Sequence, residues 1–183
     1  MPYRRRDAVH VLLGALTEPF TKHDVLSVET IMAKQKEAFE TIKEGGKGNR
    51  CRLDLAVRYL AADSFSGGGP RGAGLYKKMQ SERVGKDYGD ISSGQFQALI
   101  KSCSADGYDS KSEIELGSDL MPIDGTHRLA LALYLGIKTL PCKIRPFRIK
   151  ILYDVPWFEK HGFSKDEILL ILSTMEEIIR KST

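Results

Sequence analysis

The sequence predicts an α/β protein of the α+β kind with a helical N-terminal extension. Three observations carry that reading. The first half holds apolar residues at helical spacing and no convincing strand pattern, whereas short β-like runs gather after residue 110. One of those runs, LMPID at 120–124, passes directly into the apolar stretch THRLALALYLG at 126–136. Strands and helices then alternate to the end of the chain, as a sheet flanked by helices requires.

Taken in order, Arg4-Arg5-Arg6 followed by Ala8 to Thr17 predicts a first helix with a basic start. Its faint likeness to a secretory leader fails at His10 and at the missing small-residue cleavage pattern before Glu18. Residues 28–44 predict a helix capped by Ser27 and stopped by Gly45-Gly46, with Ile31, Gln35, Phe39 and Ile42 on one face. A second helix over 52–62 brings Leu53, Val57 and Leu60 together. From Asp63 to Gly74, five glycines and a proline predict a mobile loop. Residues 75–84 predict a short helix, and a polar connection containing Asp87 and Asp90 follows. Ser92 and Gln95 have the spacing of a capping box that opens a helix through Cys103.

SEIEL at 112–116 and LMPID at 120–124 read as a hairpin around Gly117-Ser118-Asp119. The helix at 126–136 is apolar nearly all round, so it should be buried on most sides, with Gly136 just past its end. TLPCKI and FRIKILY predict two more strands. Ser164 and Glu167 form a second capping box, opening a last helix to about Lys181.

Composition narrows the function. At 183 residues, 42% hydrophobic and 28% charged, the chain can bury a core without staples. A formal charge of +4 suits an anionic small ligand and is too weak to argue for nucleic acid. Cys51, Cys103 and Cys142 have no ligand spacing and read as reduced, buried thiols of a cytoplasmic protein. No run reaches the roughly 20 apolar residues that cross a bilayer, so no membrane partner is expected. The sequence leaves the oligomeric state open.

The chemistry concentrates at Asp124-Gly125-Thr126-His127-Arg128. The first amides of a helix lack intrahelical partners and lie at the positive end of its dipole. Gly125 admits close approach or positive φ, Thr126 can cap, and His127 and Arg128 add donors suited to phosphate. Asp124 can orient a nucleophile or hold a divalent cation. On these residues alone, a plain tight turn with a cap and a surface arginine is an equal reading.

The segment IDGTHRLALALYLGIKTLPCKI, preceded by SADGYDSKSEIEL, resembles the ParB/sulfiredoxin superfamily over roughly residues 90–145. That resemblance implies a small mixed sheet whose DGxHR-like turn and helix start hold the phosphates of ATP, ADP or CTP. It divides the chain into an extension at 1–89, with the glycine-rich loop, packed on a core at 90–183 with its C-terminal helix. Sulfiredoxins need a cysteine in the turn, where this chain has Gly125-Thr126-His127. Chromosome-partitioning ParB proteins carry a helix-turn-helix after the nucleotide fold, where this sequence predicts one clear helix. The layout is closest to the free serine kinase-like branch.

The resemblance therefore implies a Mg²⁺-dependent kinase transferring phosphate to a small hydroxylated metabolite. A ParB-type nucleotide-switched module binding DNA or protein is the alternative. Gly125, Thr126, His127 and Arg128 would hold the nucleotide. Asp124, Glu82 and Asp87 are the catalytic candidates, with Asp124 also on the metal. Lys77 and Arg83, closing from the glycine-rich region, and Glu113 on the first strand are candidates for substrate. Each of these outlying charges also reads as ordinary solvated surface.

Overall fold

The computed structural model describes residues 18–43, 51–108, 112–148 and 153–182. The helix expected over 8–17, the Gly45-Gly46 stop and most of the FRIKILY strand lie outside them.

A short 3₁₀ turn, Glu18–Phe20, leads into strand β1, Lys22–Ser27, and helix α1, Val28–Lys43. Helices α2, Asp54–Phe65, α3, Arg71–Val84, and α4, Tyr88–Asp106, follow. Strands β2, Ile114–Leu116, and β3, Pro122–Asp124, then lead into α5, Thr126–Leu135. Strand β4, Thr139–Ile144, and helices α6, Val155–Lys160, and α7, Lys165–Ser182, complete the order.

The four strands form one mixed sheet in the order β1-β4-β2-β3. β1 runs antiparallel to β4, and β2 runs parallel to β4 with Ile114 opposite Cys142 and Leu116 opposite Ile144. β2 and β3 pair antiparallel, as the hairpin reading expects, and Glu115 faces Asp124. Ile114 and Leu116 are buried and Glu115 between them is not, the period-2 alternation of a sheet with one covered face. β1 adds a strand to the segment 1–89, which the sequence predicts as a helical extension with a glycine-rich loop: one edge of the sheet comes from it.

The glycine-rich segment is a correction. α2 continues to Phe65 and α3 begins at Arg71, which leaves only Ser66–Pro70 between them. Gly72 lies inside α3, and a Cβ there would run into the carbonyl group of Leu60. That glycine is used for close helix packing rather than for freedom in a loop. The helix expected to open at Ser92 starts four residues earlier, and Ser92 is a buried residue inside α4. The predicted caps at Ser27 and Ser164 are present: Ser27 Oγ accepts from the Thr30 amide at 3.0 Å. Ser164 Oγ accepts from the Glu167 amide while Glu167 Oε2 accepts from the Ser164 amide.

α2 lies at the centre of the molecule, packed against α3, α5 and α7. Both α2 and α5 carry fully buried small and branched side chains, Val57, Ala61 and Ala62 on the one and Leu129, Ala130 and Ala132 on the other. The three cysteines are buried and none is joined in a disulfide. Among the described residues no helix is long and apolar enough to cross a membrane.

Candidate functional site

The site is built around the first turn of α5. Gly125 has φ +76°, the left-handed region that favours glycine, and it precedes a helix whose N-terminus has no side-chain cap. A Cβ on Gly125 would also sit 2.8 Å from Ile114 Cγ2. The glycine is therefore demanded twice by the fold, by backbone conformation and by packing on β2. Thr126 follows it, buried.

Arg128 reaches sideways, and its Nη1 donates to the backbone carbonyl of Glu113. Part of this guanidinium thus ties α5 to the start of β2. Asp124, at the exposed end of β3, is the carboxylate next to the helix start. The Glu113 side chain pairs with His23 Nδ1 at 2.7 Å, toward β1.

His127 points inward into a polar chain. Its Nε2 is 2.6 Å from Tyr76 Oη, and Tyr76 Oη is 2.6 Å from Ser92 Oγ. Gln80 Nε2 lies 3.3 Å from the same His127 nitrogen, while Gln80 Oε1 accepts from Arg83 Nη1 at 3.1 Å. Because a guanidinium only donates, the amide oxygen of Gln80 must face Arg83 and its NH₂ must face His127. His127 Nε2 is then an acceptor, and the ring proton of the neutral imidazole is on Nδ1. Burial, followed by the nearby charges of Arg58 and Arg83, holds the His127 pKa well below its ordinary value. The ring is neutral at pH 7.

Beside this chain is a buried ionic cluster. Asp54 accepts from Arg52 Nε and Nη2, each at 2.8 Å, and from Arg58 Nη1 at 2.5 Å. Burial pushes the Asp54 carboxyl up, but Arg52 and then Arg58 outweigh it and hold it well below the usual carboxylate range. Arg52 Nη1 also donates to the Pro122 carbonyl at 2.5 Å, fastening the residues just before α2 to the strand that delivers Asp124. The Tyr153 ring joins the two halves. Arg52 lies 5.4 Å from its centroid and Arg83 4.9 Å, and Arg83 Nε donates to its hydroxyl at 2.7 Å.

The structure thus brings Asp124, Gly125, Thr126, His127 and Arg128 together with Arg83, and ties Glu113 to them through its carbonyl. Three candidates stand apart. Glu82 is exposed, and on α3 it lies about 200° around the helix from Gln80, away from the stripe Tyr76, Gln80, Arg83. Asp87 is exposed in the turn before α4. Lys77 is taken up by Asp90 at 2.6 Å.

Sequence reasoning missed Arg52, Asp54, Arg58, Tyr76, Gln80 and Tyr153. Two signals were there: three charges inside the apolar run RLDLAVR, and polar residues at i, i+4 and i+7 along α3. Among the described residues no group of three His, Cys, Asp or Glu side chains gathers as a ligand set. A cavity lined by Val28, Tyr59, Gly136, Lys138 and Lys181 lies at the opposite end of α5, remote from this chemistry. No family model, curated protein or solved structure matches this chain.

Proposed function

We propose that the chain is a cytoplasmic nucleotide-dependent phosphotransferase that holds the phosphates of ATP, ADP or CTP over the first turn of α5. The observation that carries this reading is the left-handed Gly125 opening a helix with no side-chain cap. Free amides at the positive end of a helix are a ready anion site. The local charge supports it: Arg128 lies in the turn, Arg83 is linked to His127 through Gln80, and Arg52, which shares the buried Asp54 with Arg58, holds the Pro122 carbonyl two residues before Asp124.

Neutral His127 fits the same task. With its proton on Nδ1, it is an uncharged donor held in place by Tyr76 and Gln80. Asp124 stands exposed at the strand end, where one carboxylate plus substrate phosphates is the usual way to hold Mg²⁺. A Mg²⁺ there would neutralise phosphate charge during transfer. Asp124 then orients the acceptor hydroxyl of a small metabolite. Glu82 and Asp87 are left out of this assignment by their positions.

Asp124→Asn separates catalysis from binding, because it keeps the shape and removes the charge. Product formation, followed by phosphorus NMR over a panel of hydroxylated metabolites, should fall about 10²–10⁴-fold. Nucleotide affinity by calorimetry should change less than about tenfold, or 1.4 kcal/mol. A parallel fall in both would reduce Asp124 to a loop residue.

A further inference from the structure

At the far end of α5 from the phosphate turn, a cavity opens to the surface. Its walls come from the start of α1, the middle of α2, the close of α5 with the turn after it, and the last turns of α7. The space is about 430 Å³ counted out to its open mouth, within the range of small-ligand clefts. Much of the lining is apolar: Val28 and Ile178 are buried, and Ile137 and the Tyr59 ring are half-buried. Tyr59 makes an edge-on contact with Tyr134, the ring centroids 5.7 Å apart, which stiffens that wall.

Three charged side chains line the same cavity. Lys181 is already used, because its Nζ pairs with Glu177 at 2.5 Å and bonds the Tyr59 side chain. Glu29 and Lys138 are exposed, and among the described residues neither side chain has an ion-pair or hydrogen-bond partner, the other one included. The backbone nonetheless brings their positions together. Ser27 is opposite Thr139 in the β1–β4 pair, and the Val28 amide donates to the Lys138 carbonyl at 2.9 Å. One unpaired anion and one unpaired cation thus share the rim of a cavity with an apolar floor. A purely apolar ligand has no use for that pair, and a lone anion or cation uses only half of it.

We infer that this cavity binds an α-amino acid with an apolar side chain. Its ammonium pairs with Glu29, its carboxylate pairs with Lys138, and its side chain rests among Val28, Tyr59, Ile137 and Ile178. An α-amino acid carries both charges on one carbon and an apolar tail on the same carbon, so it meets all three features with few atoms. The ligand is distinct from the acceptor of the proposed phosphotransferase. α5 is 10 residues long, which puts roughly 15 Å between its two ends, too far for direct transfer. The site therefore stands or falls independently of that activity.

The test is a titration of the full chain, ¹³C-labelled at the isoleucine methyls, with L-leucine, L-methionine and L-phenylalanine in turn. The Ile137 and Ile178 resonances should both shift and saturate at one dissociation constant for at least one of the three. Glycine, which lacks the tail, should bind at least about tenfold more weakly, as should the N-acetyl and the amide derivatives of the tightest binder, each lacking one charge. Glu29→Gln and Lys138→Gln alter exposed side chains, and the spectrum should stay that of a folded protein. Each should weaken the parent amino acid about tenfold or more. Glu29→Gln should leave the affinity of the N-acetyl derivative unchanged, and Lys138→Gln that of the amide. Methyl resonances unmoved by all three amino acids, a derivative that binds as tightly as its parent, or an unchanged affinity in either variant would each overturn the site.

Discussion

His127 shows what a single buried base does to the molecule. In the unfolded chain its imidazole titrates near the ordinary value of about 6.5, whereas in the fold burial and the arginines depress it. Between the two values the unfolded state binds a proton that the native state refuses. Stability must therefore rise with pH through that window and level off above about 6.5, with a slope of up to about 1.4 kcal/mol per pH unit. Denaturant unfolding between pH 5 and 7 reads this directly. His127→Gln, which cannot take up a proton, should flatten the slope by that amount. An identical pH profile in His127→Gln would place the titration elsewhere. The turn residues 124–128 were legible because Asp-Gly between a strand and an apolar helix is a local pattern. Arg58 and Tyr76 were not, because their meaning comes from α2 and α3 crossing beside α5, and no spacing along the chain encodes that crossing.

The elements differ in how much of their cause is local. The caps at Ser27 and Ser164 could be read from the sequence, since the bonds they make span three residues. The hairpin of β2 and β3 was equally plain from its polar turn. Glycine composition misled at 63–74, because it cannot separate a glycine needed for freedom from one needed for closeness. Within α3 the two kinds stand side by side. A Cβ at Gly72 would strike the Leu60 backbone, whereas a Cβ at Gly74 would meet nothing within 4 Å. Gly74→Ala should therefore stabilise the protein by about 0.5–1 kcal/mol through helix propensity. Gly72→Ala should destabilise it by about 1–3 kcal/mol, the cost of overpacking. Equal effects of the two substitutions in thermal unfolding would return α3 to a loop. The extent of α4 was missed for a related reason: Ser92 has the side chain of a cap, but burial against Tyr76 gives it another use.

At the scale of the whole molecule, the sheet and α2 converge on one place. β2 and β3 deliver Glu113 and Asp124, α5 offers its first amides, and α2 and α3 bring up the arginines from the segment before residue 90. An anion site at the turn is what the sequence predicts, and the structure sets arginines from the segment before residue 90 near that turn. The central claim is that nucleotide phosphates rest on the amides of Thr126, His127 and Arg128. It is tested most directly by titrating ¹⁵N-labelled protein with Mg-ATP, Mg-ADP and Mg-CTP and following those three backbone amides. For at least one nucleotide all three should shift together and saturate at one dissociation constant, while amides of α7 stay in place. Three amides that do not move at saturating concentrations of any of the nucleotides would contradict it.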